Sequence, residues 1–173
     1  DRTNGVTRLV SANLAGTAGG NGDSLPAGIS TNGQYALFES NASDLVEGDT
    51  NKVTDIFLRD MASNQTARVN VSTNGGFANG LAKQSVMTPD ARYIAFASAA
   101  NNLVAGDTNG LRDIFVRDLQ SDTTVLASPG AKTSGSSDGP LITPDGRYVA
   151  FLSSAANLVP GVPQKSEIYV RDL

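Results

Sequence analysis

Two loops of this chain carry side-chain oxygens at a spacing that could hold a hard cation. Asp49, Asn51 and Asp55 form the first set, and Asp107, Asn109 and Asp113 form the second. Each set reads Asp-x-Asn-x-x-x-Asp within a longer matching stretch, Asp44 to Asn51 and Asn102 to Asn109. Oxygens at the first, third and seventh positions of a tight loop, with a main-chain carbonyl at the fifth, suit Ca²⁺. Both loops lack the third inner acid and the distal Glu of an EF-hand, which predicts modest affinity. A second reading needs no metal, because Asp and Asn in such loops also form Asx turns. The related stretch near the end of the chain has Val162 and Gln164 at those places, with Glu167 retained, so no metal is expected there.

Other chemistry is thinly represented. The chain has no His and no Cys, which removes the commonest general base and every thiolate ligand. Gly135-Ser136-Ser137-Asp138-Gly139 matches the spacing of a nucleophile elbow. An elbow needs a strand-to-helix turn and a His base, so this segment reads as a loop entering a strand. Gly19-Gly20-Asn21-Gly22-Asp23 occurs once, whereas calcium-binding nonapeptides work in stacked copies. The pairs Arg59-Asp60, Arg117-Asp118 and Arg171-Asp172 could hold an anion in a channel, or link neighbouring repeats, or cap turns.

The elements that must position these residues come in repeats. Gln34-Tyr35-Ala36-Leu37-Phe38 returns as Arg92-Tyr93-Ile94-Ala95-Phe96 and as Arg147-Tyr148-Val149-Ala150-Phe151. Asp55 to Asp60 likewise returns as Asp113 to Asp118 and Glu167 to Asp172. The tyrosines are separated by 58 and then 55 residues, a period of repeat architectures. Apolar and polar residues alternate in twos within these phrases, which predicts strands. The middle repeat reads as strand A over Lys83 to Met87, B over Arg92 to Ala97, C over Asp113 to Leu119 and D over Thr123 to Ala127. No stretch shows a helical period. The third repeat stops after strand C, and Asn4 to Val10 resembles a strand D, so residues 5–10 are expected to complete the last sheet. The net charge of −4 argues against nucleic acid, which needs a basic patch. No apolar run is long enough to insert in a membrane as a helix.

The phrases from Thr88 to Phe96 and from Thr143 to Phe151, with the strands C at Asp113 to Leu119 and Glu167 to Leu173, resemble the Pro-Asp (WD40-like) repeat of TolB-like β-propellers. The first copy departs, having Thr31-Asn32-Gly33-Gln34 for the Pro-Asp turn, but Asn-Gly is itself a good hairpin pair. The resemblance implies an all-β propeller of four-stranded antiparallel blades. The blades would span about 11–71, 72–128 and 129–173. An arc of three blades would leave two apolar faces open. A homodimer closing a ring of about six blades, or a longer chain, would cover them. The resemblance further implies a non-catalytic, extracytoplasmic (periplasmic or secreted) binding or scaffolding module. Its protein, peptide or glycan ligand would meet ring-face loops or the central channel. The loops Ala12 to Asp23, Ser72 to Ala82 and Ser128 to Asp138 are the candidates. Two other readings stand: an accessory propeller of a hydrolase or peptidase, and a self-assembling repeat protein.

Overall fold

The computed structural model describes residues 5–129 and 135–173. Eleven strands form three antiparallel sheets, and no helix occurs among the described residues. Blade 1 has the order β1 (Ser24–Ile29), β2 (Tyr35–Ser40), β3 (Asp55–Asp60), β4 (Gln65–Arg68). Blade 2 repeats it with β5 (Ala82–Met87), β6 (Tyr93–Ser98), β7 (Asp113–Asp118) and β8 (Thr123–Leu126). Blade 3 holds β9 (Ser137–Ile142), β10 (Tyr148–Ser153) and β11 (Glu167–Asp172). The repeated phrases are therefore the two central strands of blades 1 and 2, and the middle and edge strands of blade 3. Their register is the same each time, pairing Phe38 with Phe57, Phe96 with Phe115 and Phe151 with Tyr169. Those rings stack at 5.6, 5.8 and 6.0 Å between centroids, an offset arrangement that adds to simple burial.

The turn from strand A to strand B is built identically in all three blades. Thr88 Oγ1 donates to Asp90 Oδ1 at 2.6 Å, and Asp90 Oδ1 accepts from Arg92 N at 3.0 Å. Thr143 and Asp145 repeat this in blade 3. In blade 1, Ser30 and Asn32 take the same roles, with Ser30 Oγ donating to Asn32 Oδ1 at 2.7 Å. The departure from Pro-Asp is thus absorbed, because an amide oxygen accepts as a carboxylate does. The last turn residue has positive φ in every copy, Gly33 at 71°, Ala91 at 61° and Gly146 at 76°.

The blades stack face to face, with β5 lying across blade 1 and β9 across blade 2. The core consists of the layers between them. Ile56 and Leu58 of blade 1 are buried with Ala78, Ile94 and Phe96 in one layer. Ile114 and Val116 of blade 2 are buried with Val149 and Phe151 in the next. Ile168 and Val170 occupy the corresponding places on β11, yet they are 78% and 67% exposed. At the opposite end, Leu25 and Ile29 on β1 are 66% and 68% exposed.

Among the described residues, β11 carries no strand on its outer side. Among the described residues, 5–10 form no strand; Asn4 lies outside them. This segment instead lies against blade 1. Val10 packs on Phe38, Ala42, Leu45 and Phe57, and Arg8 Nη1 donates to Met61 O at 3.1 Å. Val69, just after β4, packs in the same cluster as Phe96, Ala100, Leu103 and Phe115 of blade 2. The match is residue for residue. Val10 stands toward blade 1 as the end of a strand D stands toward the following blade.

Candidate functional site

The loop following β2 brings Asp49, Asn51 and Asp55 together. Asp55 opens β3 and is fully buried. Its Oδ2 accepts from Asn51 Nδ2 at 2.7 Å and its Oδ1 from Asn70 Nδ2 at 2.5 Å. Asn51 Oδ1 accepts from Val53 N at 3.1 Å, an Asx turn, while Asn51 Nδ2 also reaches Ala78 O at 3.2 Å. Asn70 Oδ1 accepts from Ile56 N at 2.9 Å, which ties the carboxylate to the backbone of β3. Burial pushes the Asp49 and Asp55 carboxyls up; hydrogen bonds, from Asn51 N to Asp49 and from the Asn70 and Asn51 side chains to Asp55, offset part of that, and the charge of Arg68 offsets a smaller part. Arg68, at the end of β4, lies 3.5 Å over the Phe77 ring and donates to Gly76 O at 3.0 Å.

The second loop assembles Asp107, Asn109 and Asp113 in the same way, with two differences. Asp113 Oδ2 accepts from Asn109 Nδ2 at 2.7 Å, and Leu111 N donates to Asn109 Oδ1 at 2.7 Å. Asp113 Oδ1 accepts from Ser128 Oγ at 2.7 Å, and Ser128 Oγ accepts from Ile114 N at 3.0 Å. Ser128 therefore does for Asp113 what Asn70 does for Asp55. The first difference is cationic. Arg68 pairs with Phe57 in the sheet, and the residue that pairs with Phe115 is Leu126. The second is enclosure. Asp107 is only 7% exposed, and its Oδ2 is buried with no hydrogen-bond partner among the described residues. Burial pushes the Asp107 carboxyl up, and the charge of Asp113 adds to that.

Each set is thus brought together within its own blade, and the two sets remain separate. Among the described residues no three carboxylates converge, so Asp49, Asp55, Asp107 and Asp113 do not make one hydrolytic centre. In blade 3, Glu167 pairs with Lys165 at 2.8 Å on the surface. Asn70, Ser128, Arg68 and Leu126 were not singled out by the motif. The repeat period would have found them, because it sets Asn70 against Ser128 and Arg68 against Leu126.

The Arg-Asp pairs at the ends of strand C are turn fittings. Asp118 accepts a forked pair from Arg92 at 3.1 and 3.0 Å and caps the next turn through Gln120 N at 2.8 Å. Arg92 holds the Asp118 carboxyl well below the usual carboxylate range. Asp172 receives the same fork from Arg147, while Asp60 caps through Ala62 N at 2.8 Å. Arg59 and Arg117 are buried and donate to Thr66 and Thr124 on the neighbouring strand. The links between blades come from elsewhere. Arg112 forks onto Asp138 at 2.7 and 2.8 Å, and Glu39 Oε1 accepts from Ser85 N at 2.7 Å.

Ser137, the central residue of the elbow-like segment, is buried at the start of β9 and donates to Ser153 Oγ at 3.0 Å. Gly135 is there for close packing, since a Cβ would fall 2.5 Å from Ala155 N. Asn21 of the other Gly-rich segment donates its side-chain amide to Ser43 Oγ at 3.0 Å, and its main-chain N–H to Asp44 Oδ1 at 2.8 Å. The D-to-A loops of blades 1 and 2 are therefore tied to the B-to-C loops on one ring face. The third such loop, Ser128 to Asp138, falls partly outside the described residues. On the other ring face, an open cleft of about 510 Å³ separates blades 2 and 3, between Tyr93, Val125, Asp145, Arg147 and Arg171.

No protein-family model matches this chain, and no curated protein does. Solved structures do match. A TolB candidate from Agrobacterium tumefaciens superposes with a TM-score of 0.56 at 21% identity, over 87% of this chain and 46% of that one. TolB from Acinetobacter baumannii gives 0.53 at 18% identity, over 93% of this chain and 34% of that one. The tricorn protease gives 0.53 at 15% identity, over 87% of this chain and 14% of that one. The chain spans less than half the length of each of these proteins, and its fold is that of the TolB-type β-propellers.

Proposed function

We propose that this chain is half of a propeller ring, completed by a second copy, which serves as a non-catalytic binding or scaffolding platform outside the cytoplasm. The contrast along strand C carries the reading. Ile56 and Leu58 are 0% and 6% exposed and Ile114 and Val116 are 0% and 2% exposed, whereas Ile168 and Val170 are 78% and 67% exposed. Covering each of the latter pair would contribute on the order of 1–2 kcal/mol. Residues 5–10 supply the matching part, because Val10 already sits on blade 1 as the end of a preceding blade's outer strand does. A second copy would bring blade 3 beside that segment, pair it with β11, and repeat the exchange across a two-fold axis. The polar D-to-A loops on one ring face favour a hydrogen-bonding ligand, a protein, peptide or glycan. The TolB-like character of the repeats supports the extracytoplasmic placement.

Ile168→Glu tests the assembly. It puts a charge on an exposed strand position and leaves both inner layers alone. The wild-type chain is expected to run as a dimer and the variant as a folded monomer. A wild-type monomer with the same melting temperature as the variant would refute the reading. The similarity to the tricorn protease supports a second reading, an accessory propeller that serves a peptidase domain.

A further inference from the structure

The two loops that look alike in sequence are not alike as cation sites. We infer that blade 2 binds one divalent cation of the calcium type at Asp107 and Asp113, and that blade 1 binds none. The observation that sets blade 2 apart is Asp107 Oδ2, a buried carboxylate oxygen with no hydrogen-bond partner among the described residues. A buried charge left unpaired is costly, so such groups are paired or coordinate a metal. Among the described residues the other Asp107 oxygen has a long contact, from Asn109 N at 3.5 Å. Asp113 stands close enough for its charge to act on Asp107, so the site concentrates negative charge rather than dispersing it. Each Asp113 oxygen accepts one hydrogen bond, from Ser128 or from Asn109. That fixes the carboxylate in place and leaves lone pairs free for a metal.

Blade 1 shows what the same loop does with a built-in cation. Arg68 lies near enough for its charge to act on both Asp49 and Asp55, beside the larger influence of their hydrogen bonds, and it is anchored over Phe77 and on the Gly75 and Gly76 carbonyls. Asp49 is correspondingly more open to solvent than Asp107. At the place of Arg68, blade 2 has Leu126, which can neutralise nothing. Hard carboxylate oxygens with no soft donor favour Ca²⁺ over transition metals.

Calorimetric titration of the EDTA-stripped chain with CaCl₂, alongside thermal melts, tests this. One Ca²⁺ per chain is expected in the wild type and in Asp49→Asn, and none in Asp107→Asn. A hundredfold excess over Kd should raise the melting temperature by ~5–10 °C. In EDTA, Asp107→Asn should melt no lower than the wild type, since it removes an unpaired buried charge; that shows the variant is folded. Absence of Ca²⁺ binding to the wild type, two equivalents per chain, or loss of binding in Asp49→Asn with retention in Asp107→Asn would overturn the assignment.

Discussion

Replacing Gly146 by Ala should cost far more than the same change at Gly33, although both end the same turn. Both glycines have positive φ, 76° and 71°. A side chain in that region costs about 1–2 kcal/mol, and the less flexible unfolded chain returns about 0.4–1 kcal/mol. The conformational part is therefore about 0.5–1 kcal/mol at either site. Space separates them. Around Gly33 nothing lies within 4 Å of a built Cβ. At Gly146 the Cβ would fall 2.7 Å from Tyr93 Cε2 and Cγ, and closer still to Cδ2. Tyr93 cannot withdraw freely, because it packs against the layer of Ala95, Val116 and Val149 between blades 2 and 3. Overpacking of this kind costs about 1–3 kcal/mol, so the total for Gly146→Ala is about 1.5–4 kcal/mol. Urea unfolding of both variants at constant m-value reads the difference. The Tyr93→Ala background isolates the collision, and there the loss at Gly146 should fall to that of Gly33→Ala. Equal losses at the two glycines, or no coupling between Gly146 and Tyr93, would refute the account of how blade 3 seats on blade 2.

Other outcomes follow from the same packing and electrostatics. Phe115→Ala should lose about 3–5 kcal/mol by urea unfolding, because Phe115 is fully buried and stacked on Phe96. Lys52→Gly should gain about 0.5–1 kcal/mol by the same measurement, since Lys52 holds a φ of 58° where blade 2 has Gly110 at 62°, and the relief exceeds the entropy cost of glycine. The Arg92 fork lowers the Asp118 carboxyl in the folded state. Its stability contribution is thus complete above the unfolded value near pH 4 and is lost as pH falls toward the lowered folded value. Arg92→Ala should therefore destabilise the chain at pH 7 and flatten the decline in melting temperature between about pH 5 and 2; an unchanged acid profile would remove the clamp from the account.

The strands were legible because their signal is local. Alternating apolar residues with an aromatic at a fixed place marked strand B, expected over Arg92 to Ala97 and found over Tyr93–Ser98. Strand C began at Asp113 as expected. The first A-to-B turn survived the loss of Pro-Asp because Asn32 accepts the same hydrogen bonds as Asp90. The loop sets were legible as clusters, but their difference was not. It depends on Arg68 against Leu126, residues on strand D that meet the loop only after folding. The cross-strand partners of Asp118 and Asp172 were hidden for the same reason, since Arg92 and Arg147 reach them through sheet register. The N-terminal segment resembles a strand D in sequence, yet residues 5–10 form no strand and pack on blade 1. Val10 sits on Phe38 and Phe57, at the far end of the arc from β11.

The absolute mass of the purified chain in solution, by light scattering, bears most directly on the half-ring. Two chain masses across a wide concentration range, falling to one in Ile168→Glu, is the predicted result. A wild-type chain that stays at one mass, with Ile168 and Val170 open to solvent, would contradict it.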